Sequence, residues 1–121
     1  MPRRLMPAAA DDVRAALAAR AAGTAAKADL KLLTKHFLAL LQDAAPGNSV
    51  EVRVPPYAAV QVVEGVRHTR GTPPAVVEIT PEVWLALATG ESTWDDESAA
   101  GRVHASGERS DLGNWLPLVG R

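Results

Sequence analysis

Ala75-Val76-Val77-Glu78-Ile79-Thr80-Pro81-Glu82-Val83-Trp84-Leu85-Ala86-Leu87-Ala88-Thr89-Gly90 is the stretch from which the fold is read. Pro73-Pro74 stands before it as a breaker, and the β-branched run Ala75 to Ile79 reads as a strand. Thr80 offers a hydroxyl to cap a helix, and Pro81 suits the first helical position, where its missing N–H costs nothing. Glu82 complements the positive end of the helix dipole. This predicts a helix from Pro81 to Thr89 that stops at Gly90. Thr93, followed by Trp94-Asp95-Asp96, caps a second, short helix ending near Gly101, and Arg102-Val103-His104-Ala105-Ser106 alternates like a strand. Ser110-Asp111 then caps a last turn over Leu112 to Leu116, which Pro117 limits. The order is strand, helix, helix, strand, helix.

Upstream, an alanine-rich segment from Pro7 predicts a helix to about Ala22, with Val13, Leu17 and Ala21 on a thin apolar stripe. After Gly23-Thr24 a stronger helix is expected from about Lys27 or Asp29 to Ala44. Its Leu30, Leu33, Phe37, Leu40 and Leu41 follow the spacing of a buried face, while Lys31, Lys35, Gln42 and Asp43 fall largely on a solvated one. Pro46-Gly47-Asn48 turns the chain. Val50, Val52 and Val54 then alternate with Glu51 and Arg53 as a half-buried strand ended by Pro55-Pro56. Tyr57 to Val63 is a second, more continuously apolar strand. It reads as covered on both faces, either as a central strand or with helices on one side and a cavity on the other. Glu64 to Pro74 reads as the longest irregular stretch.

The 121 residues suit one domain, an alanine-rich extension over 1–28 and a core over 29–119. Hydrophobic residues make up 47% but aromatics only 4%, so the expected core is aliphatic. A net charge of -1 gives no global field for nucleic acid, and any anion site must be local. The absence of cysteine excludes disulfides, thiol nucleophiles and thiolate zinc sites, and fits a cytoplasmic protein. Asp11, Asp12 and Arg14 interrupt any apolar run behind Arg3-Arg4, so no export signal is read there. No run approaches the roughly 18 apolar residues a transmembrane segment needs.

The motif Thr80-Pro81-x-x-Trp84-x-x-Leu87-x-x-Gly90-x-x-x-Trp94 is joined by Gly101-Arg102-Val103-x-Ala105-Ser106-Gly107, Asp111-Leu112 and Leu116-Pro117-Leu118. This set resembles the bacterial branch of the sterol carrier family. Val50-Glu51-Val52-Arg53-Val54-Pro55-Pro56 and His68-Thr69-Arg70-Gly71-Thr72-Pro73-Pro74 look like its small stand-alone actinobacterial members. The resemblance implies an α/β (α+β) fold, with a mixed sheet of about five strands covered by helices. It also implies an apolar cavity for a lipid, fatty acyl or sterol-like ligand, and no catalytic residue or cofactor. The chain departs from larger lipid-carrying relatives in its length and in Trp115, whose ring would block a tunnel mouth.

Weighed on its own residues, the helix from Pro81 to Thr89 is apolar nearly all round, so it is either enclosed core or the wall of something other than solvent. The expected cavity walls are Phe37, Leu41, Val62, Trp84 and Leu87, with Arg67 and Arg70 as partners of a charged head group. The bland reading of Arg67 to Thr72 is a solvated loop. His36, His68 and His104 lack the spacing of a zinc site, and Asp95, Asp96 and Glu97 read as dipole-complementing residues of a first turn. No nucleophile elbow or acid–base pair is present, so the expectation is a carrier rather than an enzyme, as monomer or homodimer. The alternative is a module without a cavity that serves a protein partner.

Overall fold

The computed structural model describes residues 4–64, 75–106 and 111–119. Its elements follow in the order α1 (Ala10–Ala21), α2 (Lys27–Ala44), β1 (Val50–Val54), β2 (Ala58–Val62), β3 (Ala75–Ile79), α3 (Pro81–Thr89), α4 (Trp94–Ala99), β4 (Val103–Ser106) and a 3₁₀ turn over Gly113–Trp115. Four strands form one mixed sheet in the order β2-β1-β3-β4. β1 pairs antiparallel with β2 and parallel with β3, and β3 pairs antiparallel with β4. The class is the expected α+β, but the count of about five strands is corrected to four among the described residues. The fifth had come from the family resemblance, and no fifth β-branched run exists in the described residues to form it.

Register decides which side chains face the helices. Val50, Val52 and Val54 lie beside Val62, Val60 and Ala58 on one flank, and Val50 and Val52 beside Ala75 and Val77 on the other. Because side chains alternate across a strand, these valines share one face, and Val50, Val52, Val54, Val62 and Val77 are wholly buried. Glu51, Arg53, Glu78 and His104 fall on the opposite face, where Glu51 and Arg53 pair with each other. β2 is an outer strand of the described sheet with one buried face, not a strand covered on both sides. Its apolar look arises in part from Ala59, which is small and sits exposed on the outer face, while Ala58 packs half-buried against the core.

α2 is the central layer of the helical side. It packs against β2, α3 and α1, and buries Leu33, Phe37, Leu38 and Leu41 completely or nearly so. Its start is held by Asp29, whose Oδ2 accepts the Ala26 N–H at 2.9 Å. α1 lies on α2 through Ala16, with Val13 and Leu17 half-buried, so its contact stripe is turned away from the expected Ala21. α3 begins as read: Thr80 Oγ1 accepts the Val83 N–H, and Gly90 at φ +83° ends the helix in the left-handed conformation. The C-terminal strap closes over it, Leu118 and Val119 donating backbone N–H groups to the Ala88 carbonyl at 2.9 and 3.2 Å. The all-round apolarity of α3 is thereby accounted for by enclosure on several sides.

One backbone feature was not legible. Val63 sits at φ +66°, a region that costs an L residue about 1–2 kcal/mol and is least suited to a β-branched one. Three hydrogen bonds hold it there. Its N–H donates to the Ala45 carbonyl at 2.7 Å, and its carbonyl accepts from the Ser49 N–H at 3.1 Å and the Ser49 hydroxyl at 2.6 Å. Gly47 passes so close that a Cβ there would overlap the Val63 carbonyl. Gly47→Ala should therefore cost about 3 kcal/mol, the upper range for overpacking, because the obstacle is backbone and not a movable side chain. A urea denaturation midpoint lowered at unchanged slope is the expected reading, and an unshifted midpoint would contradict this junction.

Candidate ligand-binding site

The five side chains expected as cavity walls come from three elements. Phe37 and Leu41 are one turn apart on α2, Val62 ends β2, and Trp84 and Leu87 share a face of α3. All five are at most 1% exposed and belong to one apolar cluster, the seam where α2 meets α3 and the sheet. Arg67 and Arg70, the expected head-group partners, lie outside the described residues, as does His68.

Two polar groups enter this seam. The Trp84 indole N–H donates to the Thr34 carbonyl at 3.3 Å, tying α3 to α2 where both are buried. The Thr34 hydroxyl is buried too, and it has no hydrogen-bond partner among the described residues. An unpaired buried hydroxyl costs roughly 1–3 kcal/mol, so its retention calls for a physical reason. Sequence reading passed over it although a signal was present. Thr34 falls on the same stripe as Leu30, Phe37 and Leu41, a polar member of an apolar face. Gln42, expected on the solvated side, is buried as well, because its amide N–H donates to the Leu5 carbonyl at 3.2 Å.

Clefts on the surface lie elsewhere. One of about 500 Å³ is bounded by Ala44, Ala45 and Pro46 at the end of α2, by Val63 and Glu64 after β2, and by Trp115. It adjoins two of the seam residues along the chain, since Ala45 donates its N–H to the Leu41 carbonyl at 2.8 Å and Val63 follows Val62. A second of about 470 Å³ lies between the turn Gly90–Asp95 and the segment Asp111–Pro117. A third of about 530 Å³ separates α1 from Glu82 and Glu91, and a fourth of about 340 Å³ runs along α2 beside Met6. None of these four is lined by the five seam residues.

The displaced proton affinities belong to structural contacts. Glu97, only 5% exposed, accepts two hydrogen bonds from the Arg102 guanidinium at 2.8 and 2.9 Å and one from Ser92 at 2.9 Å. Arg102 first and Ser92 next lower its pKa from 4.5 to about 2, and the arginine's own is raised in return. This fork fastens α4 to the start of β4. Asp95 and Asp96 stay in the first turn as read, where Thr93 Oγ1 caps the Asp96 N–H at 3.1 Å. Glu91 is lowered by hydrogen bonds from Arg20 and Thr89. His36 packs edge-on against Phe37, its ring centroid 5.1 Å away, and its Nδ1 accepts the Ala8 N–H at 3.0 Å. Burial lowers its pKa. His104 is exposed on the sheet's outer face, and no cluster of three metal-ligating side chains exists among the described residues. Among those residues, too, no helix is long and apolar enough to cross a membrane.

A mixed four-stranded sheet with a two-layered helical side and an apolar seam between them defines a small α+β fold. The family described as "bacterial SCP ortholog" matches residues 26–118, from the cap of α2 to the C-terminal strap. The chain belongs to this bacterial sterol carrier family; α1 lies outside the matched region. A comparison with curated proteins found no match.

Acid titration should separate the half-buried His36 from the buried Glu97. His36 favours its neutral form in the fold, so the unfolded chain takes up a proton first and stability falls as pH drops below about 6.5. Glu97 contributes stability that is present above 4.5 and lost as pH falls through 2. The expected result is that His36→Gln flattens the upper window of a Tm-against-pH curve. The Tm deficit of Glu97→Gln should shrink between pH 4.5 and 2, and a constant deficit would contradict the ion pair.

Proposed function

We propose that this protein binds and carries an apolar or amphipathic ligand, a lipid, fatty acyl or sterol-like molecule, in the seam between α2, α3 and the sheet. Phe37, Leu41, Val62, Trp84 and Leu87 are its walls, and Arg67 and Arg70, outside the described residues, are the partners of a charged head. The observation that carries this reading is the Thr34 hydroxyl, a buried polar group with no partner among the described residues, set among those walls. A ligand hydroxyl or carbonyl in the seam would satisfy it. Family membership supports the same reading.

The mechanism is sequestration. Each ligand CH₂ moved from water into the seam contributes about 0.8 kcal/mol, against the cost of parting side chains that touch one another in the empty state. The cleft at Trp115 is the proposed entrance, because it adjoins Leu41 and Val62 where α2 and β2 end. No chemistry is required of the protein. Glu91 and Glu97, the carboxyls with displaced proton affinity, are held ionised by arginines and are unsuited to act as acids.

A second reading, a filled module serving a protein partner, is favoured by one observation: the five walls are already packed to 0–1% exposure. Native mass spectrometry of protein purified without detergent decides between them. A discrete adduct lost on denaturation supports carriage and identifies the ligand. Bare mass, with no thermal shift against fatty acids, acyl-CoAs and sterols, supports the filled module; a ligand at a hundredfold its Kd would add about 2.7 kcal/mol. Thr34→Val should stabilise the ligand-free protein by about 1 kcal/mol and weaken the adduct. Unchanged stability and an unchanged adduct would remove Thr34 from the site.

A further inference from the structure

The chain's thirteen cationic side chains are divided unevenly. Ten are arginines, and all three lysines, Lys27, Lys31 and Lys35, lie on α2 at intervals of four residues. At 1.5 Å per residue they form one row about 12 Å long on a single side of the helix. Every arginine among the described residues is paired with a carboxylate: Arg4 with Asp43, Arg14 with Asp11, Arg20 with Glu91, Arg53 with Glu51 and Arg102 with Glu97. None of the three lysines has an ion pair among those residues. The nearby Asp29 is turned to the helix start, on the Ala26 N–H.

Beside this row runs the apolar groove of about 340 Å³, whose lining includes Met6, Leu32, Lys31 and Lys35. Met6 is 75% exposed. The bond from the Ala8 N–H to His36 fixes the segment that carries Met6 alongside α2, so methionine and lysines share one built face.

We propose that this face docks on an anionic lipid bilayer, the three ammonium groups on head groups and Met6 with Leu32 at the acyl boundary. Charge and composition favour a bilayer over a protein. Protein interfaces are enriched in arginine, tyrosine, tryptophan and phenylalanine and depleted in lysine, whereas the groove lining here has Lys31, Lys35 and His36 and none of those four residue types. Flexible point charges suit laterally mobile head groups, and juxtaposed lysines and exposed apolar side chains are the pattern of interfacial binding. With a net charge of -1, attraction must come from such a local row. The proposal rests on the carriage reading for its purpose, delivery and uptake of cargo at a membrane, but not for its test.

Vesicle co-sedimentation of the full chain, without added ligand, tests it. Vesicles of phosphatidylcholine with about 30% phosphatidylglycerol should bind the protein, and pure phosphatidylcholine should not. Raising salt from about 0.05 M to 0.5 M should release it. Combined Lys27→Gln, Lys31→Gln and Lys35→Gln should weaken binding about a hundredfold at unchanged Tm, about fivefold per charge. Met6→Ser should weaken it several-fold, and Arg53→Gln, on the outer sheet face, should leave it unchanged. Binding indifferent to the lysines, or no binding to anionic vesicles, overturns the proposal. Binding of a polyglutamate peptide in place of vesicles would assign the face to an acidic protein, and lysine-dependent self-association would assign it to a second copy. Thr34→Val should retain vesicle binding, so a failed seam and a failed docking face are told apart.

Discussion

The contact between α2 and α3 is the constraint on which the remaining structure depends. Trp84 is the largest fully buried side chain, and its indole N–H is satisfied by a carbonyl of α2, at Thr34. That bond fixes the depth at which α3 sits, because any other placement would leave a buried donor unpaired. Once α3 is seated, its other apolar sides need cover. The C-terminal strap supplies part of it through Leu118, and β3, which leads directly into α3 by way of Thr80, is brought alongside β1. The sheet's register then follows from its valines, since a slip of one residue would turn Val50, Val52 and Val54 to solvent.

Local signals made most of this legible. The strand Ala75–Ile79, the helix Pro81–Thr89 and its Gly90 stop coincide with the elements read from them, because cap, proline and glycine each act within one turn. α2 likewise runs from Lys27 to Ala44 as its leucine spacing indicates. What escaped was long-range. The place of β2 in the sheet depends on which partner β1 takes on its other side, and no periodicity in Tyr57 to Val63 encodes that. Val63 has an ordinary strand identity, and its positive φ arises from hydrogen bonds to Ala45 and Ser49 that the sequence does not show. Glu97 reads as one of three acids in a first turn. Its distinction is a bidentate arginine five residues later, after the helix has ended. The candidate site was legible as an apolar face, while the unpaired hydroxyl in it was hidden by the ordinariness of a helical threonine.

Charge is divided by task in the same way. Three of the five described arginines pair with carboxylates that join separate parts of the chain: α1 to the turn after α3, α4 to β4, and the segment before α1 to the end of α2. Planar guanidinium forks suit fixed partners. The lysines take no part in these ties, and their row occupies a face that α1 and α3 leave free. Among the described residues, the cationic side chains without an ion pair are thus concentrated in one row.

A closed seam and a carrier function are compatible if the empty state is the resting one. An apolar core can reseal, since its dispersion contacts are non-directional and each is weak. The bond across the seam from the Trp84 indole N–H to the Thr34 carbonyl has a backbone acceptor and would survive rearrangement of the side chains around it. The Thr34 hydroxyl is different, because in the resealed state it has no partner among the described residues. It therefore raises the free energy of the empty seam relative to any filled one that offers it an acceptor or donor. By linkage, that difference would add to the affinity of the proposed ligand. On the proposed carriage reading, one threonine on an otherwise apolar stripe would thus bias the seam toward a ligand with a polar atom placed among its carbons, and against a plain hydrocarbon of the same size.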